Sequence, residues 1–353
     1  MNAVVSWLSL EALAEGEAAN LEVSSAGRPV APVVFLDLDH IRPNARLTAA
    51  TAAAAAAQRV LIGVAQKPVE PFLSPVLDAL AFTLVPLGEE AESSDRVGVA
   101  DPLETAAAVA AYSGVSPRAA VTLTGLLRLT EQLPVRDGLV AESLAYSMLL
   151  AGPEFSEWRA RTPRRPHVDV EEAAVQLDRE GPLLRVALNR PRRHNAFSRD
   201  VRDGLVEALE LAYIDHTITR VELAGRGASF CSGGDLDEFG TTPDVSAAHL
   251  IRLRQSAGHA VYRCAERVQV RVHGACIGAG IEIPAFANRV EAQPDAYFQL
   301  PELRMGLVPG AGGTVSVTRR IGRWRTAYLV LSGAPVDART ALRWGLVDAC
   351  ADL

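Results

Sequence analysis

Three glycine-punctuated segments constrain this chain more than any other feature: SFCSGGDLDEFG (229–240), VHGACIGAGIEIPAFA (272–287) and YFQLPELRMGLVPGAGGTVSVTRRIG (297–322). The second follows a run with strand character, VQVRVHG (268–274), and leads through Gly278-Ala279-Gly280 into an expected helix that carries Glu282. Glycine lets the main chain turn sharply and approach another molecule closely. The first N–H groups of a helix have no internal partners, and the helix end adds partial positive charge. Donors of this kind can hold an oxygen that gains negative charge during a reaction. One such turn alone is more often a tight strand-to-helix connection.

Two carboxylates accompany the glycines. Glu282 and Glu302 lie 20 residues apart, each flanked by apolar residues. Low solvation raises a carboxyl pKa and allows proton exchange near neutral pH. Two such groups can hold a water between them, one as base and one as acid. From chemistry alone, an ordinary surface or capping role for each glutamate stays open.

The rest of the chain divides into two textures. In residues 1–166, VVFLDLD (33–39) and VLIGVA (60–65) look like buried strands, with an alanine-rich buried helix between them. Strand and helix alternating in this way predict an α/β layer. DPLETAAAVAAYSG (101–114) has Asp101 as its N-cap, and a further helix over 138–158 is interrupted at Gly152-Pro153. No acid-base cluster is visible in this half. RARTPRRPHVDVEEA (159–173) reads as a solvated linker. Beyond it come a strand and turn (GPLLRVALNRP), a helix capped by Ser198, and a strand at 219–227.

The balance of charge excludes some classes. Net charge is −7, and Lys67 is the only lysine, so no general basic face for nucleic acid is expected. The four cysteines show neither metal-like pairing nor disulfide-like spacing and read as reduced, packed thiols. The acidic N-terminus is a poor signal peptide, and the alanine tract at 49–57 is too short to span a bilayer. The expectation is a cytoplasmic protein with no membrane partner.

HNAFS (194–198), FCSGGDL (230–236), HGACIGAGIEI (273–283) and QLPELRMGLVPGAGGT (299–314) stand in the order and spacing of the enoyl-CoA hydratase/isomerase, or crotonase, family. The resemblance covers about 178–353. It implies an α/β fold, a crotonase-like spiral of ββα units over 167–353, behind an α/β and helical N-terminal half (1–166). It further implies an acyl-CoA substrate, no cofactor beyond the CoA of that substrate, no metal, and a homo-oligomer, trimer or hexamer. By position, the two N–H donors for a thioester enolate fall on Gly234 and Ala279, and the hydratase glutamates on Glu282 and Glu302. CoA contacts fall on Arg193, His194, Ala196, Ser232, Asp235 and Leu236, with Asp235 read rather as a brace of the turn and His273 as structural. The implied activity is 2-enoyl-CoA hydration. Double-bond isomerisation and a non-catalytic acyl-CoA-binding subunit are the alternatives. The family's C-terminal helices are not found after GLVDACADL (345–353), but 97–127 and 139–166 resemble them, including an SP-A helix start and an E-F-W-R run. The expectation is therefore a degenerate crotonase copy with an intact helical tail, followed by a catalytic copy that borrows it.

Overall fold

The computed structural model describes residues 5–43, 45–90, 93–165, 172–242 and 244–351. The first strands form a five-stranded parallel sheet in sequential order: β1 (Trp7–Leu8), β2 (Val33–Asp37), β3 (Val60–Val64), β4 (Phe82–Pro86) and β5 (Arg96–Val99). Strands covered on both faces need apolar residues at consecutive positions, which is why VVFLD and VLIGV carry no alternation. Val34, Leu36 and Leu61 pack into a small core under α1 (Leu10–Ala14), α2 (Leu47–Ala56) and α3 (Ser74–Ala79). Phe35, Ile62 and Phe82 point the other way, into the main core shared with the rest of the molecule. The alanine tract is helical as expected, yet it buries only Ala50 and Ala54, so it covers the sheet along one stripe instead of being enclosed.

Four helices follow: α4 (Pro102–Ser113), α5 (Pro117–Thr130), α6 (Val135–Leu150) and α7 (Pro153–Arg161). Asp101 caps α4, accepting from Leu103 N at 2.8 Å and Glu104 N at 3.0 Å. Pro153 lacks the N–H that would continue α6 and sits instead in the first turn of α7.

The body of the chain holds two sheets. The larger has the order β14 (Ala349–Cys350), β11 (Arg289–Ala292), β9 (Val268–Val272), β8 (Arg220–Gly225), β7 (Leu183–Leu188) and β6 (Val175–Glu180). All its pairings are parallel except the β6–β7 hairpin. The smaller joins β10 (Ala275–Ile277), β12 (Tyr297–Gln299) and β13 (Val336–Asp337). Helix α8 (Arg199–Ile214) buries Val201, Leu205, Ala208, Leu209 and Ala212, the stripe that its helical spacing predicts. It is followed by α9 (Val245–Arg254), α10 (Ala257–Arg263), α11 (Ala279–Glu282), α12 (Gly313–Ser332) and α13 (Ala338–Trp344). Each turn of the body thus contributes a strand to one sheet and, beyond residue 272, a strand to the other. The N-terminal sheet repeats the parallel sense and sequential order of the large sheet. Among the described residues it has no second sheet, so the degenerate copy expected in the N-terminal half keeps one strand per turn where the body has two.

The N-terminal helices pack on the body. Helices α5 and α6 lie against α12, and α6 also packs against α9. Thr130 Oγ1 at the end of α5 donates to Thr314 O at 2.7 Å. The expected linker is a clamp where it is described. Arg159 Nη1 donates to Leu236 O at 2.6 Å, Arg164 Nη2 to Phe239 O at 3.0 Å, and Arg165 Nε lies 3.1 Å from Asp237 Oδ2. These arginines are fixed on loop 236–239 because its carbonyls and Asp237 offer acceptors that water would otherwise fill; residues 166–171 of the expected linker lie outside the described residues.

Candidate active site

Chain segments far apart in sequence meet at one cavity of about 260 Å³. The 231–235 loop lies beside β10 because Ile277 N donates to Cys231 O at 3.0 Å and Cys231 N to Ala275 O at 3.1 Å. The turn at 193–197 is laced to the same loop: Phe197 N donates to Gly233 O at 2.8 Å, and Asp235 N donates to Phe197 O at 3.0 Å. Gly234 sits between those two bonds, and among the described residues its N–H has no acceptor in the protein. Ala279 N opens α11 and has none either. Both residues line the cavity. These are the two N–H groups expected from sequence.

Gly278 makes the approach possible. Its φ is +50°, and a Cβ there would stand 2.7 Å from Glu302 Oε1 and 3.7 Å from Glu282 Oε1. Both carboxyl groups therefore face the same small volume beside the Ala279 N–H. Gly278→Ala is expected to lower any activity of this site at least 10²-fold while the protein still folds, because the methyl group fills that volume and the φ +50°, ψ −120° backbone costs about 1–3 kcal/mol in a residue with a side chain. Steady-state kinetics with a thermal unfolding curve checks it.

Both glutamates are buried, with Glu282 2% and Glu302 7% exposed. Their surroundings differ. Glu282 Oε2 accepts from Ala311 N at 2.8 Å and Gly313 N at 2.9 Å, at the start of α12. Burial raises its pKa to about 7, against the pull of those amides. Glu302 Oε2 has no hydrogen-bond partner. Burial first, and the neighbouring Glu282 second, raise the Glu302 carboxyl well above the usual range. Glu282 is thus the group that ionises more easily and Glu302 the one that keeps a proton.

A third carboxyl group was not visible in the sequence. Glu142 of α6 accepts from Gly312 N at 2.7 Å, Thr314 N at 2.9 Å and Thr314 Oγ1 at 2.7 Å. Four consecutive amides, 311 to 314, are therefore shared alternately by Glu282 and Glu142. Burial and Glu282 raise the Glu142 pKa to about 8. The available signal was its position: with Val135, Gly138, Leu139 and Leu149, Glu142 falls on the buried stripe of α6. Tyr146, one turn later, also lines the cavity. The other N-terminal helices brace the same site. Tyr112 Oη of α4 donates to Pro301 O at 3.3 Å, next to Glu302. Trp158 of α7 meets Phe239 edge to face at 6.2 Å.

The expected CoA-contacting residues divide. Ser232, Asp235 and Leu236 line the cavity. Ala196 is buried behind it, and His194 Nδ1 lies 3.1 Å from Ser229 Oγ. Arg193 Nη2 is engaged by Asp235 at 3.1 Å and Asp237 at 2.5 Å. Asp235, buried and bonded to Arg190 and Arg193, braces the turn as expected. His273 Nε2 contacts Gly227 O at 2.9 Å, a structural contact. Cys231, Cys264 and Cys276 are buried free thiols. Among the described residues there is no group of His, Cys, Asp and Glu that could hold a metal ion, and no helix is long and apolar enough to cross a membrane.

The sequence model of the enoyl-CoA hydratase/isomerase family matches residues 178–352. The 2,3-dehydroadipyl-CoA hydratase of Escherichia coli K12 is 33% identical over 172 residues, 49% of this chain and 67% of that protein. The 1,2-epoxyphenylacetyl-CoA isomerase of the same organism is 31% identical over 173 residues, 48% of this chain and 66% of that protein. The crystal structure of enoyl-CoA hydratase from Thermoplasma volcanium GSS1 is 28% identical, covers 52% of this chain and 73% of that one, and has a TM-score of 0.48. This chain spans about two thirds of the length of the two Escherichia coli relatives. With the glycine turns, the two open N–H groups and the glutamate pair in place, the chain belongs to the enoyl-CoA hydratase/isomerase family.

Proposed function

We propose that this protein adds water reversibly to a 2-enoyl-CoA thioester. One observation carries the reading: two buried carboxyl groups of unequal proton affinity share one small volume beside two unpartnered N–H groups. The thioester oxygen lies between Gly234 N and Ala279 N. Water stands between the glutamates. Glu282 takes a proton from the water as its oxygen bonds to C3. The C2–C3 π electrons move toward the thioester, and the resulting enolate oxygen is held by the two N–H groups. Glu302 then gives its proton to C2, and solvent exchange resets both groups. CoA contacts from Ser232, Asp235 and Leu236 along the cavity, and from Arg193, His194 and Ala196 on the adjoining turn, complete the proposal, as does a homo-oligomeric assembly, trimer or hexamer, checked by light scattering. No cofactor other than the substrate's own CoA is invoked.

Incubation with crotonyl-CoA and longer 2-enoyl-CoAs, following loss of the conjugated enoyl absorbance, tests the reaction. Hydration of at least one ester is the expected result. A shifted double bond in 3-enoyl-CoAs without hydration would replace the reading with isomerisation, which needs only one carboxylate. Binding without either reaction would point to a non-catalytic subunit.

A further inference from the structure

The cavity wall carries a cation, Arg252, that forms no ion pair among the described residues; Glu142 acts on it only through space. Arg252 of α9 is half-buried. Its Nε donates to Ser143 Oγ at 3.1 Å, and Nη2 donates to Ser143 O at 3.3 Å and to Ser147 Oγ. Its guanidinium carbon stands 4.7 Å from the centre of the Tyr146 ring. Among the described residues no carboxylate lies within ion-pair distance of it, and Nη1 has no acceptor, although it is not sealed from solvent. Glu142, adjacent to Ser143 in sequence, has both oxygens committed to the 312–314 amides. Removing a guanidinium from water without an acid partner is costly, so the arrangement is complete only when an acceptor arrives.

The location says what that acceptor belongs to. Arg252, with Arg202, lines both the main cavity and a side pocket of about 60 Å³ that continues from it. Arg202 leans its Nε on Asp203 at 2.8 Å and is already half-neutralised. Tyr146, under Arg252, packs on Gly310, one residue before the amide that holds Glu282. The cation therefore shares one cavity with Gly234, Ala279 and both glutamates, where the far end of a short acyl chain can meet it. A planar guanidinium is suited to a carboxylate. We propose that Arg252, flanked by Arg202, receives a carboxylate at the end of the acyl chain, so that the substrates are short 2-enoyl-CoA thioesters with an acidic terminus; this rests on the hydratase reading above.

The test compares two six-carbon 2-enoyl-CoAs, one ending in a methyl group and one in a carboxylate, and measures by calorimetry the binding of their saturated counterparts. The acidic ester is expected to have the higher kcat/KM by about tenfold to a hundredfold, the range of a charge-assisted hydrogen bond. Arg252→Gln, which keeps a donor for the serines, should erase the preference, and Arg252→Lys should keep part of it. An equal or better methyl-ended ester, or a preference that survives Arg252→Gln, overturns the proposal. If neither ester is hydrated, the hydratase reading fails and binding decides: tighter binding of the acidic ester by the wild type, lost in Arg252→Gln, sustains the anion site, and equal binding overturns it. If thermal unfolding shows that Arg252→Gln is not folded, the wild-type ratio and Arg252→Lys decide alone.

Discussion

Glu302→Gln is expected to lower kcat for hydration by about 10²- to 10⁴-fold, the range for removing a positioned proton donor, with KM changed by no more than about threefold. The substitution keeps the shape and removes only the transferable proton. Its second effect is on stability. A buried carboxyl whose folded pKa lies above its unfolded value binds more protons in the native state between those two values. Stability is then fully present below the unfolded pKa, about 4.3, and falls as pH rises through the folded one. Glu282, at about 7, and Glu302, higher, both act in this sense. The wild type should therefore unfold at a lower temperature at pH 9 than at pH 5, and Glu302→Gln should show a smaller decline. Unfolding curves across that range, taken beside the kinetics, check both parts. An unchanged rate would remove Glu302 from the mechanism.

The second large effect is expected far from the reactive segments in sequence. Glu142→Ala leaves the buried amides of Gly312 and Thr314 without their acceptor. Each unsatisfied donor costs roughly 1–3 kcal/mol, so the loss should be about 3 kcal/mol, read from the urea midpoint at constant slope. Activity should also fall, by roughly 10- to 100-fold. The amides of Ala311 and Gly313 alternate with those two and hold Glu282 in place, and small misplacements of a catalytic group are expensive. The pattern separates the two glutamates: Glu302→Gln loses rate and keeps stability at neutral pH, whereas Glu142→Ala loses both.

Much of this site was legible before the structure. Asp101 and Ser198 announce their helices because a side-chain acceptor just ahead of an apolar stripe has few other uses. The strands at 33–37 and 60–64 announce themselves by unbroken apolar runs. The glycine turns, from Gly233 to Gly313, lie with Glu282 and Glu302 inside a span of 313 − 233 = 80 residues, and their order carries the resemblance. Glu142 was not legible as part of the site, because 140 residues separate it from Glu282 and no local pattern records a partner at that distance. The arginines at 159–165 were misread for a related reason. A proline-punctuated charged run looks solvated unless the opposing carbonyls of 236–239 are known. The missing second sheet in the N-terminal half was equally hidden, since apolar runs reveal strands without saying how many layers they build.

The order of synthesis gives the alternating amides a kinetic meaning. Every brace of the reactive loops, Tyr112, Glu142, Trp158 and Arg159, is translated before any residue it supports. The helices can gather on the ribosome as a platform and take hold of 236–239 as it emerges, but Glu142 has no amide to grip until Gly312 and Thr314 follow. Closing contacts across 170 residues is entropically slow, and the chain must wait for it with an acidic side chain headed for burial still in water. Catalytic competence should therefore appear as the last event of folding, later than the return of helical signal, in a refolding experiment that follows both.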